Sequence, residues 1–420
     1  MPRILVLSAT TGYQLRAFAE SAARLGVDLV YATDRCSTLE DPWLDAAIPI
    51  RFHDEDSSLA EIVKASRTRR IDGLIAVGDR PTVLAARAAA ALGLRGNPVE
   101  AARASANKIL ARQRFGSEGL KVPWFFVVPT ATNVKDALHD PRLRFPCVVK
   151  PIGLSGSRGV IRADSPGDFA RAFERVRALL NRVDIRSLRA GLEDRVLVEG
   201  FIEGQEYAIE GVLTGGALKI FAIFDKPDLL DGPFFEETVY VTPSSLSGTL
   251  QRSVAAHVAL GCRALGLRHG PIHAECRIGP EGPVLLEIAA RPIGGLCSRV
   301  LRFEPGVSLE EILLRHASGE DVSSWRREEA ASAVMMVPIP KRGVLKRVEG
   351  IDRALQTPRV EEILITAKPD QVIEPLPEAG SYLGFIFARA EDPTAAEAAV
   401  REAHRRLTLV IDPLIDVAMA

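Results

Sequence analysis

Two acids, Glu275 and Glu287, lie in a stretch whose pattern decides how they relate, HAECRIGPEGPVLLEIAARPIGG from His273 to Gly295. The pattern predicts two short strands around Pro280-Glu281-Gly282, a three-residue hairpin loop with Gly where a left-handed residue is wanted. With Gly279 facing Pro283, Glu275 falls directly across from Glu287, His273 from Ala289 and Arg277 from Leu285. Ala274, Cys276, Ile278, Val284, Leu286, Ile288 and Ala290 then share the other face, and all are apolar, so that face is core. Like charges directly opposite on a sheet repel, so the pair calls for a compensating cation. A divalent metal supplies one, because Mg²⁺ takes carboxylate oxygens, usually one or two with water and substrate phosphates. Arg291 follows two alternations further along the same strand. The bland alternative, a solvated hairpin with accidental charges, sits poorly with so clean an apolar face.

Other stretches offer complementary chemistry. Phe145 to Pro151 predicts a strand ending in Lys150, and it runs into a Gly/Ser segment containing Gly153, Ser155, Gly156, Ser157 and Gly159. Backbone N–H groups and hydroxyls of such a segment can fold over phosphates, with Lys150 supplying positive charge at its base. The order GxxxxGK[ST] is absent and a strand follows, so this is not a P-loop. An ordinary Gly-rich turn is the alternative. Arg195 to Glu199 reads as a strand meeting a linker, a place from which backbone can hydrogen-bond a purine edge. Lys226 to Glu237 lies in a long loop of the kind that forms lids. Gly294 and Gly295 permit close backbone approach to something small.

The elements that must position these residues follow from the chain in order. Ile4–Ser8, Val27–Ala32 and Gly73–Val77 read as strands alternating with Ala-rich helices at 14–25 and 81–92, which predicts a parallel, doubly wound unit over residues 1–100. Thr10-Thr11-Gly12 in its first turn lacks GxGxxG and is at most a weak phosphate signal. A helical stretch over 101–119 carries Asn107 and Lys108, and further helices are expected at 166–180, 248–266 and 309–317. Composition turns polar between Ser318 and Glu329, marking a soft boundary. The remaining residues, 321–420, read as an α+β appendage ending in an Ala-rich helix.

Composition excludes several classes. The 420 residues are 47% hydrophobic and 25% charged with a net charge of −1, which is ordinary for a globular protein of two or three domains and gives no reason to expect nucleic acid. No window approaches the roughly 18 apolar residues of a membrane span, and the start lacks a signal-peptide pattern. Five scattered cysteines without CxxC spacing suit a reduced, cytoplasmic setting.

Lys108, VVKP with its Gly/Ser loop, LVEGFIEGQE, HAEC and LLEIAAR occur in an order and spacing that resemble the ATP-grasp superfamily over about residues 1–317. The resemblance implies a two-part clamp holding ATP between antiparallel sheets (101–320, lid about 120–205) behind a Rossmann-like unit. It implies that Lys108 and Lys150 contact ATP phosphates under the loop Gly153 to Gly159. Glu199 resembles the adenine-amino contact, with the backbone of Phe201 and Ile202 completing the purine pocket, and Glu206 the acid on the ribose hydroxyls. Glu275 and Glu287 resemble metal ligands, in agreement with their strand register, and Arg291 the transition-state arginine. Many members read ExNxR where this chain has Ala289, so one coordination position is missing. EIAAR followed by two glycines, the GPFFEET segment and the tail from about 331 are similar to bacterial L-amino-acid (dipeptide) ligases.

The expected reaction is ATP-dependent joining of a small-molecule carboxylate and amine through an acyl phosphate, with two Mg²⁺ or Mn²⁺ ions. Lys226, Glu237, His273, Gly294 and Gly295 are expected near the substrate or its lid, His273 as support rather than base, and Cys297 as a buried residue. A homodimer is the expectation from relatives. A bicarbonate-dependent carboxylase of the purine or biotin type and a non-catalytic nucleotide regulator are the alternatives. The chain has no biotin-acceptor segment.

Overall fold

A computed structural model describes residues 1–9, 14–34 and 47–414. Thr10-Thr11-Gly12 and Cys36 lie outside the described residues.

The amino-terminal strands are apolar on both faces, as a parallel sheet covered on both sides requires. Ile48–Pro49, Asp28–Thr33, Arg3–Ser8 and Gly73–Val77 pair in that order, all parallel. Along Arg3–Ser8 the side chains divide by alternation. Leu5 and Leu7 pack with Ile62, Leu84 and Ala88, while Ile4 and Val6 pack with Phe18, Ala22 and the distant helix Leu309–Ala317. Contact with that helix is so close that a Cβ on Gly73 would lie 2.1 Å from the Ala317 carbonyl oxygen, so no larger residue fits there. The amino-terminal unit is thereby locked to an element far along the chain, the helix ending at Ala317.

The helical stretch expected over 101–119 is two helices, Val99–Ser105 and Lys108–Ser117. Asn107 breaks it, because its side chain caps the second helix by accepting hydrogen bonds from the N–H groups of Ile109 and Leu110 at 3.0 and 3.2 Å. The break places Lys108 in a first helical turn.

The stretch expected as a lid forms a four-stranded antiparallel sheet, Phe125–Pro129, Arg195–Gly200, Cys147–Pro151 and Ile161–Ala163 in that order. Helix Pro166–Leu180 covers it with Phe169, Phe173 and Val176.

Facing the lid is an antiparallel sheet of eight strands. Its order is Gly282–Ala289, Gly270–Gly279, Gln205–Thr214, Ala217–Asp225, Val239–Thr242, Ala331–Val337, Gly384–Ala390 and Val360–Ile365. Helix Gly248–Leu265 buries Val254, Val258 and Cys262 against Ile209, Ile272, Leu285 and Ile288 on its rear face. The sheet runs without interruption across the soft boundary near residue 320. The α+β appendage therefore shares the central sheet, and adds a small sheet of Val372–Ile373, Gly343–Glu349 and Thr408–Asp412. Among the described residues no helix is long and apolar enough to cross a membrane.

Candidate active site

The hairpin turns at Gly279 and Gly282, which face each other, so its loop holds two residues rather than three. Arg277 consequently lies across from Val284, not Leu285. A bulge between Glu275 and Cys276 then takes up Leu286, and beyond it Glu275 faces Glu287 and His273 faces Ala289 as the alternation predicts. The bulge also reverses two neighbours. Leu285 enters the core with Ile288, whereas Leu286 lines the cleft.

The adjoining strand Gln205–Thr214 extends this polar face by one rank. Glu206 faces Arg277, Ala208 faces Glu275 and Glu210 faces His273. Small residues, Ala208 and Ala289, alternate with charged ones and leave room above the sheet. The cleft between this face and the lid encloses about 1330 Å³ and reaches Asp79, Lys108, Lys150, Glu287 and Arg291.

Lys226 is 2% exposed, and its ammonium lies 2.7, 2.9 and 2.9 Å from carboxylate oxygens of Glu206, Glu237 and Glu275. Burial works against the charge, but three carboxylates outweigh it and hold the lysine well above its usual range. Burial and the nearby Glu275 push Glu237 upward, against the pull of Lys226. Glu206 also accepts from Arg277 at 3.0 Å, so the acid likened to a ribose contact is engaged by two cations here. His273 donates from Nδ1 to Glu210 at 3.2 Å, and its Nε2 faces Glu275 at 3.6 Å. Burial would lower this imidazole, yet the two carboxylates raise it to about 9. A doubly protonated ring has no lone pair with which to take a proton. Glu210 in turn accepts the Ile293 N–H at 3.1 Å, pinning the segment that carries Arg291, Gly294 and Gly295.

A second buried group surrounds Glu199. Arg112, fully buried, donates Nε and Nη2 to its two oxygens at 2.9 and 3.1 Å, and Lys150 donates to Oε1. Burial would raise the carboxyl, but the two cations hold it at about 2. Lys150 shares that one acid with Arg112, and burial lowers it to about 8. Both oxygens of Glu199, likened to the adenine contact, are thus occupied by cations. Beside them Val148, Leu230 and Phe235 form an apolar slot with Val160 and Phe201, the rings of Phe201 and Phe235 stacked with centroids 6.2 Å apart.

Lys108 donates to the Leu154 carbonyl at 2.7 Å and lies 3.6 Å from Glu287. The Gly/Ser loop is held from two sides, by Lys108 and by the Gly159 N–H donating to the Pro377 carbonyl at 2.8 Å. Arg291 donates to Asp79 at 3.0 and 3.3 Å. Cys297 is buried and its thiol is pushed up by desolvation, which makes it inert.

The acids suit a hard divalent cation. Their donors are all carboxylate oxygens, and among the described residues Glu275 Oε2 has no hydrogen-bond partner while Glu287 opens onto the cleft. The convergent trio Glu206, Glu237 and Glu275 could also hold an ion, but Lys226 already stands at its centre.

Four participants escape a reading of the sequence. Arg112 stands one helical turn from Lys108, and Glu210 stands on the same strand face as Glu206, so periodicity could have found both. Asp79 follows the carboxyl end of a parallel strand, a common ligand position. Nothing local marks the segment from Gln371 to Tyr382, which walls the far side of the cleft.

Three families match the chain: an ATP-grasp N-terminal domain over residues 19–96, an ATP-grasp domain over 143–300 and an L-amino acid ligase C-terminal domain over 335–412. The alanine–anticapsin ligase of Bacillus subtilis is 27% identical over 62% of this chain and 57% of its own length, so this chain spans little more than half of that relative. Dapdiamide A synthase of Enterobacter agglomerans is 25% identical over 73% of this chain and 72% of its own. An L-amino acid ligase from Bacillus licheniformis superposes with a TM-score of 0.83 at 25% identity, covering 98% of this chain and 99% of that one.

Proposed function

We propose that this chain, which matches an ATP-grasp domain over residues 143–300 and an L-amino acid ligase C-terminal domain over 335–412, joins two amino acids at the expense of ATP, releasing ADP and phosphate. A carboxylate oxygen of one substrate attacks the γ-phosphorus, the bond to the β-phosphate oxygen breaks, and an acyl phosphate forms. The amine of the second substrate then attacks the acyl carbon; it loses a proton, and inorganic phosphate leaves with the bonding pair.

The observation that carries this reading is one cleft lined by opposed acids, two lysines and an arginine beside an apolar slot. Phosphoryl transfer needs chiefly positioning and charge neutralisation. Lys108 and Lys150 neutralise phosphate oxygens, and the base lies against Phe201 and Phe235. Glu275 and Glu287 would hold Mg²⁺, two ions in this reading, and the metal would supply positive charge to offset that of the phosphates. Arg291 offers planar donors to the acyl phosphate and to the oxyanion that forms when the amine attacks. Loop Gly153 to Gly159 and the segment Lys226 to Glu237 exclude the water that would hydrolyse the intermediate. The matched C-terminal domain favours ligation over carboxylation.

The test is release of ADP and phosphate from Mg-ATP with amino acids singly and in pairs, beside a bicarbonate control. Release is expected to need two amino acids and to fall by about 10²-fold or more in Glu287→Ala and Arg291→Ala, on the scale of a lost transition-state donor. Release driven by bicarbonate, or nucleotide binding without turnover for every pair, would overturn the proposal.

A further inference from the structure

Arg291 pairs with an acid of the amino-terminal unit, and the geometry of that contact is specific. Its Nε donates to Asp79 Oδ1 at 3.0 Å and its Nη2 to Oδ2 at 3.3 Å, a side-on fork, while Nη1 donates to the Pro292 carbonyl at 3.1 Å. A guanidinium has five N–H donors. Three are used, so two remain, one on each terminal nitrogen, at the terminal edge that adjoins the one on Asp79. Arg291 is 7% exposed, so that edge has little freedom to choose another direction.

Asp79 is itself fixed. It follows the strand Gly73–Val77 by way of Gly78, and its carbonyl accepts both the N–H and the hydroxyl of Thr82 at 3.2 and 2.8 Å where helix Thr82–Leu92 begins. Burial opposes its charge, but Arg291, with Lys108 and Ser155, holds the carboxyl below its usual range. The carboxylate therefore sits where arginine, phosphate-side lysine and closing loop meet, although it is 30% exposed and lies on a different structural unit from all three.

We infer that Asp79 is a positioning residue: it grips the Nε/Nη2 edge of Arg291 so that the remaining terminal N–H groups face the transferring phosphoryl group. Aim of the arginine then depends on docking of the amino-terminal unit against the central sheet. The inference rests on the ligase reading for the role of Arg291. It differs from a stand-in model, in which Asp79 would occupy the place of the substrate carboxylate and leave when substrate binds.

Asp79→Asn, Asp79→Glu and Arg291→Ala separate these readings. With an active amino-acid pair, Asp79→Asn is expected to lower kcat by about 10- to 100-fold, the scale of a small misplacement, while KM for ATP and the melting temperature stay near wild type. Asp79→Glu, which keeps the charge and the fork, should recover part of the loss. Unchanged kcat with a lower KM for the acid substrate would overturn positioning in favour of the stand-in. Loss of nucleotide binding together with melting temperature would overturn it in favour of a structural role.

A second arm needs no amino acid. Capture of aluminium fluoride by protein loaded with Mg-ADP mimics the phosphoryl group in flight, and Asp79→Asn and Arg291→Ala should both weaken it by about tenfold or more. Capture by Asp79→Asn equal to wild type, or no capture by wild type, would count against the inference. Wild-type capture with no turnover for any amino-acid pair would sink the ligase reading alone.

Discussion

Lys150 is the residue at which charge and binding are most directly linked. Burial beside a single acid that it shares with Arg112 leaves it near 8, so in free protein it loses its proton as pH rises through that value. Phosphates bind the ammonium form and stabilise it. Above pH 8 nucleotide binding must therefore take up a proton, and affinity should fall by up to about tenfold per pH unit. Calorimetric titration of Mg-ATP at pH 7 and pH 9 in buffers of different ionisation enthalpy reads both the fall and the uptake. In Lys150→Met binding should be weaker and flat across the range; a flat wild-type profile would refute the assignment. The same scale shows why the opposed acids were legible and their neighbours were not. A loop one residue shorter than expected and a bulge one residue later cancel, so Glu275 and Glu287 meet as alternation predicts, while Arg277 and Leu285 between the two irregularities do not. Alternation records faces, and a bulge is invisible to it.

Strands and helices with strong periodicity, such as Gly73–Val77, Pro166–Leu180 and Leu309–Ala317, can be read from sequence to the residue. What cannot be read is which of them meet. Gln371 to Tyr382 has little regular structure, yet it holds the lid: Arg175 Nη2 donates to Glu378 at 2.8 Å, Arg182 Nη1 to Glu374 at 2.6 Å and Arg158 Nε to the Glu378 carbonyl at 2.8 Å. These partners are between a fifth and a half exposed, apart from Arg158, so each ion pair contributes little. Replacing both acids, Glu374→Gln with Glu378→Gln, should loosen the closed lid by about 1 kcal/mol in all, or about fivefold in opening. Hydrogen exchange over residues 153–160 would register it as faster amide exchange with no change in the rear helix Gly248–Leu265. Equal exchange in wild type and variant would mean that the arginines do not restrain the lid.

At the scale of the molecule, composition pointed to separate domains, whereas the central sheet draws three of its eight strands from beyond residue 320. A chain ending at 320 would leave Val239–Thr242 as a bare edge and uncover apolar neighbours of Met336, Phe385 and Phe387. It should bind hydrophobic dyes and show no cooperative melt; a soluble, cooperatively melting fragment would contradict the shared core. The seam itself is short, four residues of Val239–Thr242 laddered antiparallel to Ser332 through Met335. Exchanging carboxyl-terminal thirds between relatives is therefore a graft across a hydrogen-bonded joint. A chimera would succeed or fail on whether those four rungs keep their register, and lengthening the connecting segment would not repair one whose rungs have slipped.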